Sequence, residues 1–133
     1  MPTVVRINKR MFNAIRNLHI LGFIHRNIQP SNFAIGSQTQ TAVVFIIGFS
    51  LASRIEIDPL TGDEMDIIKS SQQQSSFRRI NTLNSIYMSR QCHISSSLNL
   101  TRMDDIESWL YQQIEITRGA LPWRSLEEKN EVS

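Results

Sequence analysis

The chain has a single cysteine, Cys92, among 133 residues, so no internal disulfide can brace it, and a lone thiol suits a reducing compartment. No apolar run approaches the roughly 18 residues of a membrane span. Met1-Pro2-Thr3 leads straight into an amphipathic pattern, without the layout of a secretory leader. These absences set the expectation of a soluble, intracellular, cytoplasmic protein with no membrane partner. Charge of one sign is also lacking. The 14 basic residues against 12 acidic ones leave a net charge of +2, dispersed along the chain. Arg78-Arg79 is the nearest approach to a basic cluster and is too short to predict a nucleic-acid partner. There is no internal repeat. Glycine (5) and proline (4) are few, so each one present is informative about where an element ends.

What remains is enough for one domain with a core, at 41% hydrophobic residues. Val4, Ile7, Met11, Ala14, Leu18 and Leu21 recur at helical steps and predict an amphipathic helix over Thr3–Leu21, with Thr3 as N-cap and Gly22 as a left-handed stop. Two short strands follow, Asn32–Ile35 and Thr41–Ile47, joined through the small polar stretch Gly36-Ser37-Gln38-Thr39-Gln40 as a hairpin. Ala42 to Ile47 is apolar without alternation, which predicts burial on both faces. Arg54–Asn84, with Asp58-Pro59, Thr61-Gly62 and the run Ser70 to Ser76, reads as the least ordered part. A second helix is predicted over Thr101–Thr117, with Met103, Ile106, Leu110, Ile114 and Thr117 on one face. Gly119 and Pro122 stop it, and Asp104 with Glu107 reads as a solvated face.

Two motifs carry more than structure. Gly22-Phe23-Ile24-His25-Arg26-Asn27-Ile28-Gln29-Pro30-Ser31-Asn32-Phe33 resembles the catalytic loop of protein kinases, His-Arg-Asp followed by a metal-binding Asn. Its wording is most similar to the casein kinase 1 superfamily, and within it to the tau-tubulin kinases and their nematode relatives. Arg102-Met103-Asp104-Asp105-Ile106-Glu107-Ser108 and Gly119-Ala120-Leu121-Pro122-Trp123 resemble that family's central C-lobe helix and its ending. Between them, Gly48-Phe49-Ser50-Leu51-Ala52 resembles Asp-Phe-Gly-Leu-Ala. Phe77-Arg78 and Tyr87-Met88-Ser89 resemble the end of the activation segment, with Arg79 where the family has glycine.

The resemblance implies an α+β, mainly helical fold: a partial kinase-like C-lobe over 1–126 with a small β-hairpin, and a charged tail over 127–133. No Gly-rich phosphate loop or Val-Ala-Ile-Lys-like strand occurs, so the N-lobe is expected to be absent. The family's catalytic positions fall on Asn27, in place of Asp, and Gln29, in place of Lys. Its metal-ligand positions fall on Asn32 and on Gly48, which offers no oxygen. His25, Arg26 and Asp105 fall where the family braces its loop, and Asp105 is expected to accept hydrogen bonds from the loop's backbone amides.

An amide at Asn27 is not a useful base near neutral pH, and Gln29 brings no charge to a developing phosphate. The family uses ATP and magnesium; for this chain no cofactor is expected. The function expected is that of a pseudokinase fragment acting as an interaction module, with a protein partner or self-association through exposed apolar surface. Two other readings stay open: an atypical serine/threonine kinase using ATP, or from an incomplete gene, and a truncated product without selected function. Cys92-His93 is not read as a nucleophile–base or metal pair, because adjacent side chains rarely converge on one atom and no second pair exists.

Overall fold

The structure, a computed structural model, describes residues 2–37, 43–66, 85–94 and 100–125. Helix α1 covers Pro2–Ile20 and strand β1 covers Phe23–Ile24. Strands β2 (Phe33–Ile35) and β3 (Val44–Ile46) follow, then β4 (Ser53–Ile57) and β5 (Glu64–Asp66). Helices α2 (Arg90–Ile94) and α3 (Arg102–Arg118) complete the order, with 3-10 turns at Pro30–Asn32, Phe49–Leu51 and Ser85–Tyr87. The fold is α+β, compatible with a partial kinase-like piece. The run Ser70 to Ser76, the Phe77-Arg78-Arg79 motif, Gln38-Thr39-Gln40 and the tail 127–133 lie outside the described residues.

Helix α1 starts at Pro2, so Thr3 sits inside the first turn and is not the N-cap. Pro is well suited to that turn, because the missing N–H has no helical partner there anyway. The buried stripe is Met11, Ile15 and His19, at strict four-residue steps. Leu21, expected on the apolar face, lies beyond the helix and is 71% exposed. Gly22 ends the helix at φ 81, its N–H donating to the His19 carbonyl at 3.0 Å. This bend delivers β1, and the loop that follows it, to the middle of the molecule.

The β2–β3 hairpin is antiparallel, with Phe33, Ala34 and Ile35 opposite Ile46, Phe45 and Val44. Its burial alternates, which corrects the expectation of a strand buried on both sides. Val44 and Ile46 are half-buried and β3 lies against α1, whereas Val43, Phe45 and Ile47 are each 43% exposed. Only one layer covers the hairpin among the described residues, and period-two side chains then divide between covered and open faces.

A second sheet runs β1-β4-β5, with Phe23 opposite Arg54 and Ile24 opposite Ser53. The β4–β5 hairpin shows that the start of Arg54–Asn84, expected to be the least ordered part, is regular structure. Asp58 closes the turn: its N–H donates to the Asp63 carbonyl, and its carbonyl and carboxylate accept from the N–H groups of Gly62 and Leu60, each at 2.8 Å. The Asp-Pro and Thr-Gly signals are therefore a hairpin turn between β4 and β5.

Two small cores form among the described residues. Ile24, Leu51 and Leu100 form one, joined by Ile55, Met88 and Cys92. Ile86, Tyr87 and Leu121 form the other, joined by Tyr111, Ile114 and Trp123. Helix α3 packs on α1, its Trp109 ring 5.0 Å from Phe12. Met103 (70% exposed), Leu110 (48%) and the exposed Thr117 are not on its buried face, contrary to expectation. That face is the polar stripe Asp105, Ser108 and Gln112, with Ile106 and Ile114 only half-buried.

Helix α3 begins with a capping box. Thr101 Oγ1 accepts from Met103 N at 3.2 Å, and Asp104 Oδ2 accepts from Thr101 N at 2.8 Å. Asp104 also accepts from Ser89 Oγ at 2.6 Å, and Glu107 accepts from Arg90 N at 3.0 Å. Asp104 and Glu107 are thus half-buried connectors to α2, not a solvated face. Replacing Thr101 with alanine is expected to cost about 1 kcal/mol, read as a lower urea midpoint. An unchanged midpoint would show that the cap contributes nothing to stability.

Candidate functional site

Asp105 is the centre of the site. It is 2% exposed, and each of its oxygens accepts from groups far away in sequence. Oδ2 takes His25 N and His19 Nε2, and Oδ1 takes Arg26 N, each at 2.8 Å. The brace expected from the loop motif is therefore formed, with one member that sequence reading missed. His19 lies on the buried stripe of α1, four residues after Ile15. A histidine on an apolar stripe was the available signal. Arg26 holds φ 68, uncommon for a residue with a side chain, and its N–H bond to Asp105 fixes that conformation.

His25 is fully buried. Its Nε2 donates to the Ile47 carbonyl at 2.8 Å, and its Nδ1 accepts from Asn27 N at 3.3 Å, which sets the neutral tautomer with the proton on Nε2. The Phe49 ring stands edge-on, 5.3 Å away. Burial holds the His25 pKa below the ordinary 6.5, against smaller raising effects of Ile47, Asp105 and Asn27. The folded chain therefore binds fewer protons than the unfolded chain below pH 6.5. Stability from this group is complete above that pH and is lost as pH falls through the lower folded value. Urea midpoints measured stepwise from pH 7.5 downward should decline from about pH 6.5, and His25→Gln should flatten that decline. An equally steep decline in the variant would assign it to another group.

The four motif positions Asn27, Gln29, Asn32 and Gly48, of which Asn32 alone keeps the motif's residue, come together around this brace. Asn27 is half-buried, and its carbonyl accepts from Asn32 Nδ2 at 2.8 Å. Asn32 is also tied through its backbone, N to the Gln29 carbonyl at 3.0 Å and carbonyl to Ile47 N at 2.9 Å. Gly48 sits beside Asn32 at φ 78 and ψ 46. Asn27 and Gln29 line a shallow hollow with Ser89, Cys92, Asp104 and Ser108. Neither Asn27 nor Gln29 presents a carboxylate or a cation to it.

The magnesium that the family resemblance implies does not fit these residues. Gly48 supplies no side-chain donor, which leaves Asn32 Oδ1 as a lone neutral oxygen where a hard cation requires carboxylate partners. No group of three or more His, Cys, Asp or Glu side chains with metal-binding arrangement exists among the described residues. Cys92 and His93 do not form a site either. Cys92 packs on the Ile24 core, with burial pushing its thiol pKa up and Ser89 Oγ 3.4 Å from its sulfur, while His93 is exposed.

A second polar cluster buttresses the far side. Tyr87 donates its hydroxyl to Glu115, which also accepts from Arg124 Nε at 2.7 Å. Burial, with the Glu115 bond, pushes the Tyr87 pKa up to about 12. Trp123 Nε1 donates to the Ile86 carbonyl at 2.9 Å and its ring meets Tyr111 edge-on. The Leu-Pro-Trp ending thus anchors the end of α3.

No protein-family profile matches the chain. Among curated proteins, it is 30% identical over 131 residues to a Dictyostelium discoideum protein provisionally named a serine/threonine-protein kinase, covering 98% of this chain and 24% of that protein. It is 29% identical over 131 residues to a Caenorhabditis elegans protein provisionally named a casein kinase I, covering 98% of this chain and 35% of that one. The chain therefore spans about a quarter to a third of the length of these relatives. No helix among the described residues is long and apolar enough to cross a membrane. With its loop brace formed and similarity extending over almost all of it, the chain stands in a protein kinase-like relationship to these proteins.

Proposed function

We propose that the chain is a catalytically inactive, casein kinase 1-like module of the tau-tubulin kinase-like, nematode type that binds a protein inside the cell. The observation that carries this reading is a fully bonded loop brace, Asp105 with His19, His25 and Arg26, around positions that have lost their chemistry. Asn27 cannot act as the base that orients a substrate hydroxyl, a role worth roughly 10²–10⁴-fold. Gln29 brings no charge to a transferring phosphate, and Gly48 no metal ligand. A loop that keeps its frame without its reactive groups retains a shape that another protein can recognise. The exposed side of the β2–β3 hairpin, with Val43, Phe45 and Ile47, supports a protein partner or a second copy of the chain.

Phosphate transfer from radiolabelled ATP with magnesium to an acidic protein acceptor tests the first half. No transfer above the protein-free background is expected from the chain or from Asn27→Asp, and transfer by the unsubstituted chain would sink the reading. Sedimentation over a concentration series tests the apolar face. Association weakened by Phe45→Glu is the expected result, and a monomer at every concentration counts against self-association.

A further inference from the structure

We propose that Asn32 itself closes the cation position of this loop, so that restoring a carboxylate at position 48 does not rebuild a magnesium site. The observation is the space beside Gly48. A Cβ added there would lie 2.4 Å from Asn32 Oδ1, 2.8 Å from its Cγ and 3.2 Å from its Nδ2. A side chain at position 48 therefore requires the Asn32 amide to shift.

That amide is not a loose end. Its Nδ2 donates to the Asn27 carbonyl at 2.8 Å, and the backbone of Asn32 is fixed by Gln29 on one side and Ile47 on the other. A shift of that amide strains the bond it donates to the Asn27 carbonyl. The two oxygen donors that a hard divalent cation would need from these positions thus exclude each other. When Asn32 is seated, residue 48 must be glycine. When residue 48 carries a carboxylate, Asn32 is expelled. Gly48 is consequently more than a missing ligand: it is the space that the seated amide occupies, at a φ of 78 that favours glycine as well.

This inference rests on the kinase-like reading only for the choice of cation. Its test uses the full chain and magnesium chloride alone. In 1H–15N spectra the Asn32 side-chain amide signals should not move on addition of millimolar magnesium, in the unsubstituted chain or in Gly48→Asp. Movement of those signals by magnesium in Gly48→Asp would overturn the proposal, because it would show both donors serving one ion.

Stability gives a second, independent readout. Gly48→Ala should raise the unfolding constant about tenfold, and markedly less in an Asn32→Ala background. The left-handed backbone penalty is common to both backgrounds, so the difference reads the collision alone. Equal losses in the two backgrounds would overturn the proposal. If Gly48→Ala does not fold, recovery of folding in the double variant supports it and continued failure opposes it. Magnesium-shifted Asn32 signals without phosphate transfer would overturn this inference alone. Phosphate transfer with unmoved signals would overturn only the inactive reading.

Discussion

Asp105→Ala is expected to lower the stability of the chain by about 3–5 kcal/mol. The carboxylate is 2% exposed and accepts from His19, His25 N and Arg26 N at 2.8 Å each. Truncation leaves all three donors buried, and each orphan costs about 1–3 kcal/mol. It also releases the backbone of Arg26, which holds a φ of 68 while its N–H donates to Asp105. A small domain holds about 5–15 kcal/mol in total, so the variant stands near the limit of folding. Asp105→Asn should fall between the two. It keeps one acceptor oxygen but turns an amide N–H toward a donor, because the two oxygens of Asp105 are both in use. Urea melting followed by circular dichroism reads the effect. An unchanged midpoint for Asp105→Ala would show that the loop is not braced through this residue.

Ile24→Ala is the second large expected effect, at about 2–5 kcal/mol. Ile24 is fully buried in the core with Leu51 and Leu100, and its strand pairs it with Ser53. Three other partly buried residues, Ile55, Met88 and Cys92, pack on the same cluster, so the missing methylenes leave a cavity that few neighbours can fill. Ile24→Val, which removes one methyl group, should cost about 1 kcal/mol. The residue directly precedes His25, and the loss therefore reaches the site as well as the core. Hydrogen exchange of the His25 and Arg26 N–H groups, which donate to Asp105, should accelerate in Ile24→Ala beyond the acceleration in Ile24→Val. Equal exchange in both variants would separate the core from the loop.

Much of the element order was legible in the sequence. The long first helix, its stop at Gly22, the β2–β3 hairpin and the helix ended by Gly119 all follow from local signals: periodicity, a left-handed glycine and a polar connection. Faces were less legible than elements. Apolar spacing put Met103 and Leu110 inward on α3, yet the buried stripe is Asp105, Ser108 and Gln112. The loop that packs on Asp105 presents backbone donors, and those require an acceptor rather than methylenes. The open side of β3 was missed for the opposite reason. A continuous apolar run normally means cover on both faces, and here α1 covers one.

The site divides in the same way. His25, Arg26 and Asp105 were readable because the loop and helix motifs fix their spacing. His19 was not, since its place on a helix stripe does not by itself name Asp105 as its partner. The close approach of Asn32 to Gly48 was equally hidden, as it depends on a hairpin folding back on the loop.

By itself the sequence determined which chemistry is present. Asn27, Gln29 and Gly48 carry no base, no cation and no metal ligand, and no fold can supply a functional group that a side chain lacks. It also determined where elements end, because capping and left-handed turns are decided within a few residues. Only the tertiary structure decided which faces are buried and which groups share one carboxylate. The donors that meet Asp105 lie 79 to 86 residues before it in the chain. Burial and hydrogen bonding at such separations depend on what packs alongside, and local sequence does not contain that information.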